Sequence, residues 1–221
     1  MRGRTPLSLA VAGAAALTMV AAGCSSTPQA QDERFILQFY LGEPQHLLTT
    51  NTNESEGSQV LAALYEALVD FDEQARPVMA AAESITTEDN KVWTIKIKEG
   101  RTFHNGEPVD ADSFIQAWNN GAYGPNGQGN NYFFEFIEGY AEMNPQEEDE
   151  EPTATELSGL KKIDDLTFEV TLTNPFSEFP LVLGYTPFYP LPDAAFSEPG
   201  VIDEEFEHAP IGNGPFKMVG T

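Results

Sequence analysis

The sequence predicts an α/β fold, on three observations. Apolar–polar alternation, the period of half-buried strands, recurs at residues 34–41, 91–98 and 167–173. Residues 55–69 and 110–119 instead space their apolar side chains for one face of a helix. Hydrophobic residues make up 41 % of the 221, enough for a sizeable core, which excludes disorder along the whole length. No repeat of fixed period is visible, so a solenoid or propeller is not expected.

The chain opens with Arg2 and Arg4, then runs uncharged through residues 7–22. That stretch is shorter than the roughly 18–20 residues needed to span a bilayer, so residues 1–23 read as a secretory signal. Ala21-Ala22-Gly23 stand directly before the single cysteine, Cys24. Together with the polar tether over 24–33 they resemble a bacterial lipobox, with Ala21 where that motif usually has Leu. On this reading Cys24 becomes the first mature residue and the lipid attachment point. The anchor is then acyl chains on the outer face of the cell membrane, and the mature domain is extracytoplasmic. Loss of Arg2 and Arg4 takes the formal charge from -24 to -26.

The remaining elements follow in order. Residues 34–41 form a strand with Phe35, Leu37 and Phe39 on one face, and residues 42–56 a polar loop. Ser55 or Ser58 caps a helix running to about Val69, with Val60, Leu61, Leu64 and Leu68 on its apolar face. In the strand over 91–98, Trp93, Ile95 and Ile97 point one way and Thr94, Lys96 and Lys98 the other. Gly100 closes that strand, and Asn105-Gly106 marks a turn. Asp110 caps the next helix to about Asn119, with Asp112 favourable to its dipole, Phe114 stacked on Trp118, and Gly121 ending it. A Gly- and Asn-rich loop over 124–131 leads to the aromatic run Tyr132, Phe133, Phe134, Phe136. The five acids over 147–151 read as a solvated loop. Phe168, Val170 and Leu172 point inward from the third strand. Asn174-Pro175 is placed at the start of a short helix.

Eleven Lys and Arg stand against 35 Asp and Glu. That balance excludes nucleic acid as a partner and argues against electrostatic attraction to anionic lipid. A single Cys excludes an intrachain disulfide framework. No nucleophile elbow, zincin motif or phosphate-binding loop is present, so no catalytic residue is assigned and an enzyme is not expected. His46, His104 and His208 lie far apart in sequence and are read as structural or surface residues, with no metal and no cofactor implied.

Five ordered segments carry a family resemblance. The first is Val60-Leu61-Ala62-Ala63-Leu64-Tyr65-Glu66-Ala67-Leu68-Val69, and the second covers residues 77–84. The third is Val92-Trp93-Thr94-Ile95-Lys96-Ile97, followed by Phe103-His104-Asn105-Gly106-Glu107-Pro108 and Asp112-Ser113-Phe114. The fourth covers residues 160–172, and the fifth is Pro210-Ile211-Gly212-Asn213-Gly214-Pro215-Phe216. The string resembles the peptide/nickel-type substrate-binding proteins of ABC importers (solute-binding family 5), and within them actinobacterial oligopeptide-binding lipoproteins. Ile85 stands where the family often has Trp, and Asn213 where it usually has Thr.

The resemblance implies a periplasmic-binding-protein-like two-lobed clamp of the cluster C type. It further implies that residues 34–221 are part of the first lobe, with 57–160 as an inserted subdomain, and that the C-terminal lobe is missing. It implies capture of oligopeptides, delivery to ABC permease subunits in the membrane, and a monomer. Receptors of the same fold for a nickel chelate or sugar, and a peptide-sensing surface lipoprotein, are the alternatives. The family's ligand-pairing segment falls on Asn53, Glu54 and Ser55, which also suit a helix-capping loop. Its aromatic pocket loop falls on Asn131 and Tyr132, and Tyr132 equally suits packing with Phe133 and Phe134. Trp93, Phe103 and Trp118 are assigned to packing, and Gly212 and Gly214 to positive φ near a crossover between lobes.

Overall fold

A computed structural model describes residues 41–145 and 150–219. The expected signal, Cys24, the strand over 34–41 except Leu41, and most of the acidic run lie outside these residues. Helix α1 (Ser55–Leu64) is followed by a two-stranded hairpin, β1 (Val69–Phe71) with β2 (Pro77–Met79). Strands β3 (Ala82–Thr87), β4 (Val92–Ile97), β5 (Leu160–Asp164) and β6 (Thr167–Thr171) form one antiparallel sheet in the order β3-β4-β6-β5. Helix α2 (Ala111–Ala122) and short helices α3 (Tyr140–Met143) and α4 (Phe179–Val182) complete the α-helices among the described residues, with five 3-10 turns in the connections. The hairpin of β7 (Phe196–Glu198) and β8 (Val201–Ile202) completes the strands. The mixture of helix and sheet agrees with the expected class.

Alternation decides which face of the sheet is buried. Trp93, Ile95 and Ile97 on β4 and Phe168 and Val170 on β6 are all buried, with Ile95 registered against Phe168 and Trp93 against Val170. The opposite face is wet and carries ion pairs such as Lys96 with Glu83 at 2.8 Å. Helix α2 lies on the buried face. Its Phe114 stacks on Phe168 at 5.9 Å, and Trp118 meets Phe168 edge-on at 5.5 Å. Trp118 is fully buried, yet its indole N–H is satisfied by the Phe188 carbonyl at 3.1 Å. Asp110 caps α2 as the sequence predicts, in a reciprocal box with Ser113. Gly106 holds φ +93 in its turn, a conformation that favours glycine.

Tertiary contacts correct four local expectations. Helix α1 ends at Leu64 rather than near Val69: residues 212–216 close on its C-terminal end, and the Ala67 and Leu68 carbonyls accept from Ala81 and Ala80 N–H instead. Gly214 N–H donates to the Leu64 carbonyl at 2.8 Å and Phe216 N–H to the Ala63 carbonyl at 3.2 Å. Gly212 and Gly214 are absent from the positive-φ glycines; close approach is what requires them. A Cβ on Gly212 would stand 1.9 Å from the Leu64 carbonyl oxygen, and one on Gly214 would stand 2.7 Å from the Tyr65 carbonyl carbon. Gly121 does not end α2 but lies inside it, where a Cβ would come within 2.6 Å of Thr50 and 2.7 Å of Phe134. Asn174-Pro175 begin no helix. Phe176 N–H is held by the Asn90 carbonyl at 2.8 Å, and α4 starts three residues further on.

Candidate functional site

The two loops singled out in the sequence are laced together. Asn130 is buried, and its side-chain amide donates to the Thr52 carbonyl at 2.7 Å while its backbone N–H donates to the Thr50 carbonyl at 3.1 Å. Gly129 N–H donates to the Asn51 side chain at 2.9 Å, and the Thr50 hydroxyl to Gln128 at 3.1 Å. The approach is close: a Cβ on Gly129 would stand 2.9 Å from the Asn53 amide nitrogen and 3.0 Å from the Asn51 carbonyl oxygen. Asn53 therefore borders the loop that leads into Asn131 and Tyr132, although about eighty residues of chain separate them.

The individual side chains divide between scaffold and surface. Glu54, rather than Ser55 or Ser58, caps α1: its carboxylate accepts from Gly57 N–H at 2.6 Å and from Gln45 N–H at 3.1 Å. Burial alone would raise its carboxyl. The backbone N–H groups of Gly57, Gln45, His46 and Glu56 outweigh that and hold it below its ordinary value of 4.5. The cap therefore stabilises the fold above that value, and the stabilisation is lost as pH falls through the depressed one. Glu54→Ala should lower stability by about 1 kcal/mol at pH 7. That difference should shrink below pH ~4 as the wild-type carboxyl protonates. Urea midpoints at the two pH values test this, and a pH-independent difference would remove the carboxylate from the account. Asn53 and Ser55 are exposed beside this cap.

Asn131 turns inward. Its amide donates to the carbonyls of Gly121 and Ala122 at 3.1 and 2.7 Å, and its oxygen accepts from the Tyr140 hydroxyl. Tyr132 turns outward and is 57 % exposed, while Phe134 fills the core. Phe133 links the two, 4.7 Å from the Tyr132 ring, 6.0 Å from Tyr185 and edge-on to buried Phe188. Tyr185 is itself 55 % exposed. The result is an aromatic strip rooted in the core, beside the 49–55 loop. Tyr185 escaped sequence reasoning because nothing in its local pattern sets it apart from its buried neighbours. The histidines do not converge on this strip: His46 lies 3.4 Å from Glu207, and His104 meets the Gly214 carbonyl at 2.9 Å. Among the described residues, no helix is long and apolar enough to cross a membrane.

Comparison with known proteins places this architecture. The oligopeptide-binding protein OppA of Salmonella typhimurium is 30 % identical over 205 residues, 92 % of this chain and 37 % of its own length. The structure of Listeria monocytogenes OppA bound to peptide superposes with a TM-score of 0.71 at 26 % identity, covering 80 % of this chain and 34 % of that one. The Escherichia coli murein tripeptide binding protein MppA shares the fold with a TM-score of 0.73 at 22 % identity, covering 82 % of this chain and 35 % of that one. The chain thus spans little more than a third of each of these three proteins. The description "Bacterial extracellular solute-binding proteins, family 5 Middle" matches residues 76–221, and the chain belongs to that family of ABC-transporter substrate-binding proteins.

Proposed function

We propose that this chain is part of an extracytoplasmic lipoprotein that captures oligopeptides and hands them to an ABC permease. The observation that carries the reading is the match along 92 % of the chain to an oligopeptide-binding protein. The exposed strip of Tyr132 and Tyr185 beside Asn53 supports it. Exposed aromatic faces suit a ligand whose side chains vary. In this reading Asn53 and Ser55 offer the ligand-facing edge, Glu54 and Asn131 hold the loops that present it, and Tyr132 supplies the ring. The described residues supply one wall of the site, in the first lobe with 57–160 inserted. Closure of a second lobe over that wall buries the peptide. Cys24 carries the lipid that tethers the receptor near its permease, and the receptor works as a monomer.

The test is native mass spectrometry of the protein expressed from its own gene and extracted from membranes in mild detergent. Co-purified peptides of mixed sequence are expected on a protein whose amino terminus is lipidated Cys24. A different bound solute would overturn the peptide assignment, and an unmodified amino terminus upstream of Cys24 would overturn the anchor.

A further inference from the structure

A cavity of about 470 Å3 lies where the end of α1, strand β1 and residues 213–215 meet. Its charges are unevenly matched. Arg101 pairs with Glu66 at 3.2 Å, and the Asn213 amide nitrogen donates to the Glu66 carbonyl at 3.2 Å. With Arg101 offset by Glu66, the lining keeps one uncompensated charge, that of Asp70 at its exposed rim. Asp70 lines the cavity and, among the described residues, has no cationic partner; its carboxylate accepts only the neighbouring Phe71 N–H, at 2.7 Å. Tyr65 also lines the cavity. It is 3 % exposed, and its hydroxyl is buried without a hydrogen-bond partner. Leaving such a group unpaired is costly, so it marks a place where a partner is expected. The Tyr189 ring completes the wall, stacked 5.9 Å from Tyr65. Burial first and then the Asp70 charge push its phenol up to about 12, so the ring presents a neutral face at physiological pH.

We propose that this cavity binds one organic cation, an alkylammonium or guanidinium group, with Asp70 as counter-charge and the Tyr65 hydroxyl as a further acceptor. An ammonium or guanidinium carries three to five N–H donors and no acceptor, which suits the Asp70 carboxylate and the lone pairs of the Tyr65 hydroxyl. Tyrosine faces add an attraction that neutral isosteres lack. The cavity shares no lining residue with the 49–55 and 128–132 loops, although Gly184 on its wall directly precedes Tyr185 of the aromatic strip, and the inference rests on the cavity's own residues. The cation has two sources, the side chain of Arg or Lys in a peptide, or a free amine.

Agmatine is titrated into the isotope-labelled chain, followed by amide shifts, at low salt and at 150 mM salt. Saturable shifts are expected at Ala67, Asp70, Gly184 and Gly214, and they should persist in salt. Uncharged butanol should leave the same amides unmoved. Asp70→Asn should weaken agmatine by about tenfold or more, in line with loss of one charge-assisted hydrogen bond. Tyr65→Phe, which keeps the ring and its stacking, should weaken it severalfold. An unchanged shift pattern without ligand shows that each variant still folds. Blocked Ala-Arg-Ala binding more tightly than agmatine assigns the peptide source, and the reverse order assigns a free amine. Agmatine shifts scattered over the acidic surface and abolished by salt would overturn the site, as would equal affinity in Asp70→Asn. Neither result would touch peptide capture at the loops.

Discussion

Gly212→Ala should destabilise the chain by about 3 kcal/mol or more, because the new methyl has nowhere to go. Its position is 1.9 Å from the Leu64 oxygen and 2.6 Å from the Leu64 carbonyl carbon, both backbone atoms. Relief requires residues 212–216 to lift away from α1. Lifting them breaks the bonds from Gly214 and Phe216 to the helix end. It also breaks the Asn213 bracket on Glu66 and the two contacts of His104 with Gly212 and Gly214. At about 1 kcal/mol net for each lost bond, the sum reaches several kcal/mol. Asn213→Ala, which removes only the bracket, should fall between this variant and wild type. Guanidinium unfolding measures the loss, and hydrogen exchange at Glu66, His104 and Gly214 localises it. A Gly212→Ala protein within 1 kcal/mol of wild type, with these amides still protected, would disprove the close-contact account.

Trp118→Ala should be the largest core loss, about 3–5 kcal/mol from packing alone. The ring is fully buried and meets Phe188 at 5.2 Å and Phe168 at 5.5 Å, both edge-on, so its removal strips contacts from the sheet and from the segment after α4. It also strands the Phe188 carbonyl, which loses its indole donor. Phe188 is the buried root against which Phe133 packs. Damage at Trp118 should therefore propagate to the exposed strip. Against a typical domain stability of about 5–15 kcal/mol, such a loss leaves a substantial unfolded fraction at 37 °C. Trp118→Phe, which keeps a ring but no N–H donor, should cost much less. If Trp118→Ala melts within a few degrees of wild type, the ring is not the keystone of this core.

What the sequence reveals about this fold depends on how local the deciding force is. The faces of β4 and β6 are legible because one residue of register would turn Ile95 and Phe168 to water. The start of α2 is legible because Asp110 and Ser113 cap each other within four residues. The end of α1 is not, because its partners lie beyond it, at residues 214 and 216 on the helix and at 80–82 on the residues that follow it. The cap at Glu54 is misread for the opposite reason: Ser55 and Ser58 have the commoner capping chemistry, but Gln45 and Gly57 converge on a carboxylate. The aromatic strip is half legible. Tyr132 stands out by its loop, whereas Tyr185 joins the strip through its contact with Phe133, more than fifty residues earlier.

The clasp between Asn213 and Glu66 joins positions 147 residues apart, and this shapes how the chain acquires its structure. A ribosome adds roughly 5–20 residues per second, so on the order of ten seconds pass between the emergence of Glu66 and that of its partner. During that interval the Ala63 and Leu64 carbonyls at the end of α1 lack their final donors, Phe216 and Gly214. Contacts of such long separation also slow the final closure, since a large loop must be ordered before they form. Helix α1 is therefore among the last of the described elements to acquire its native contacts.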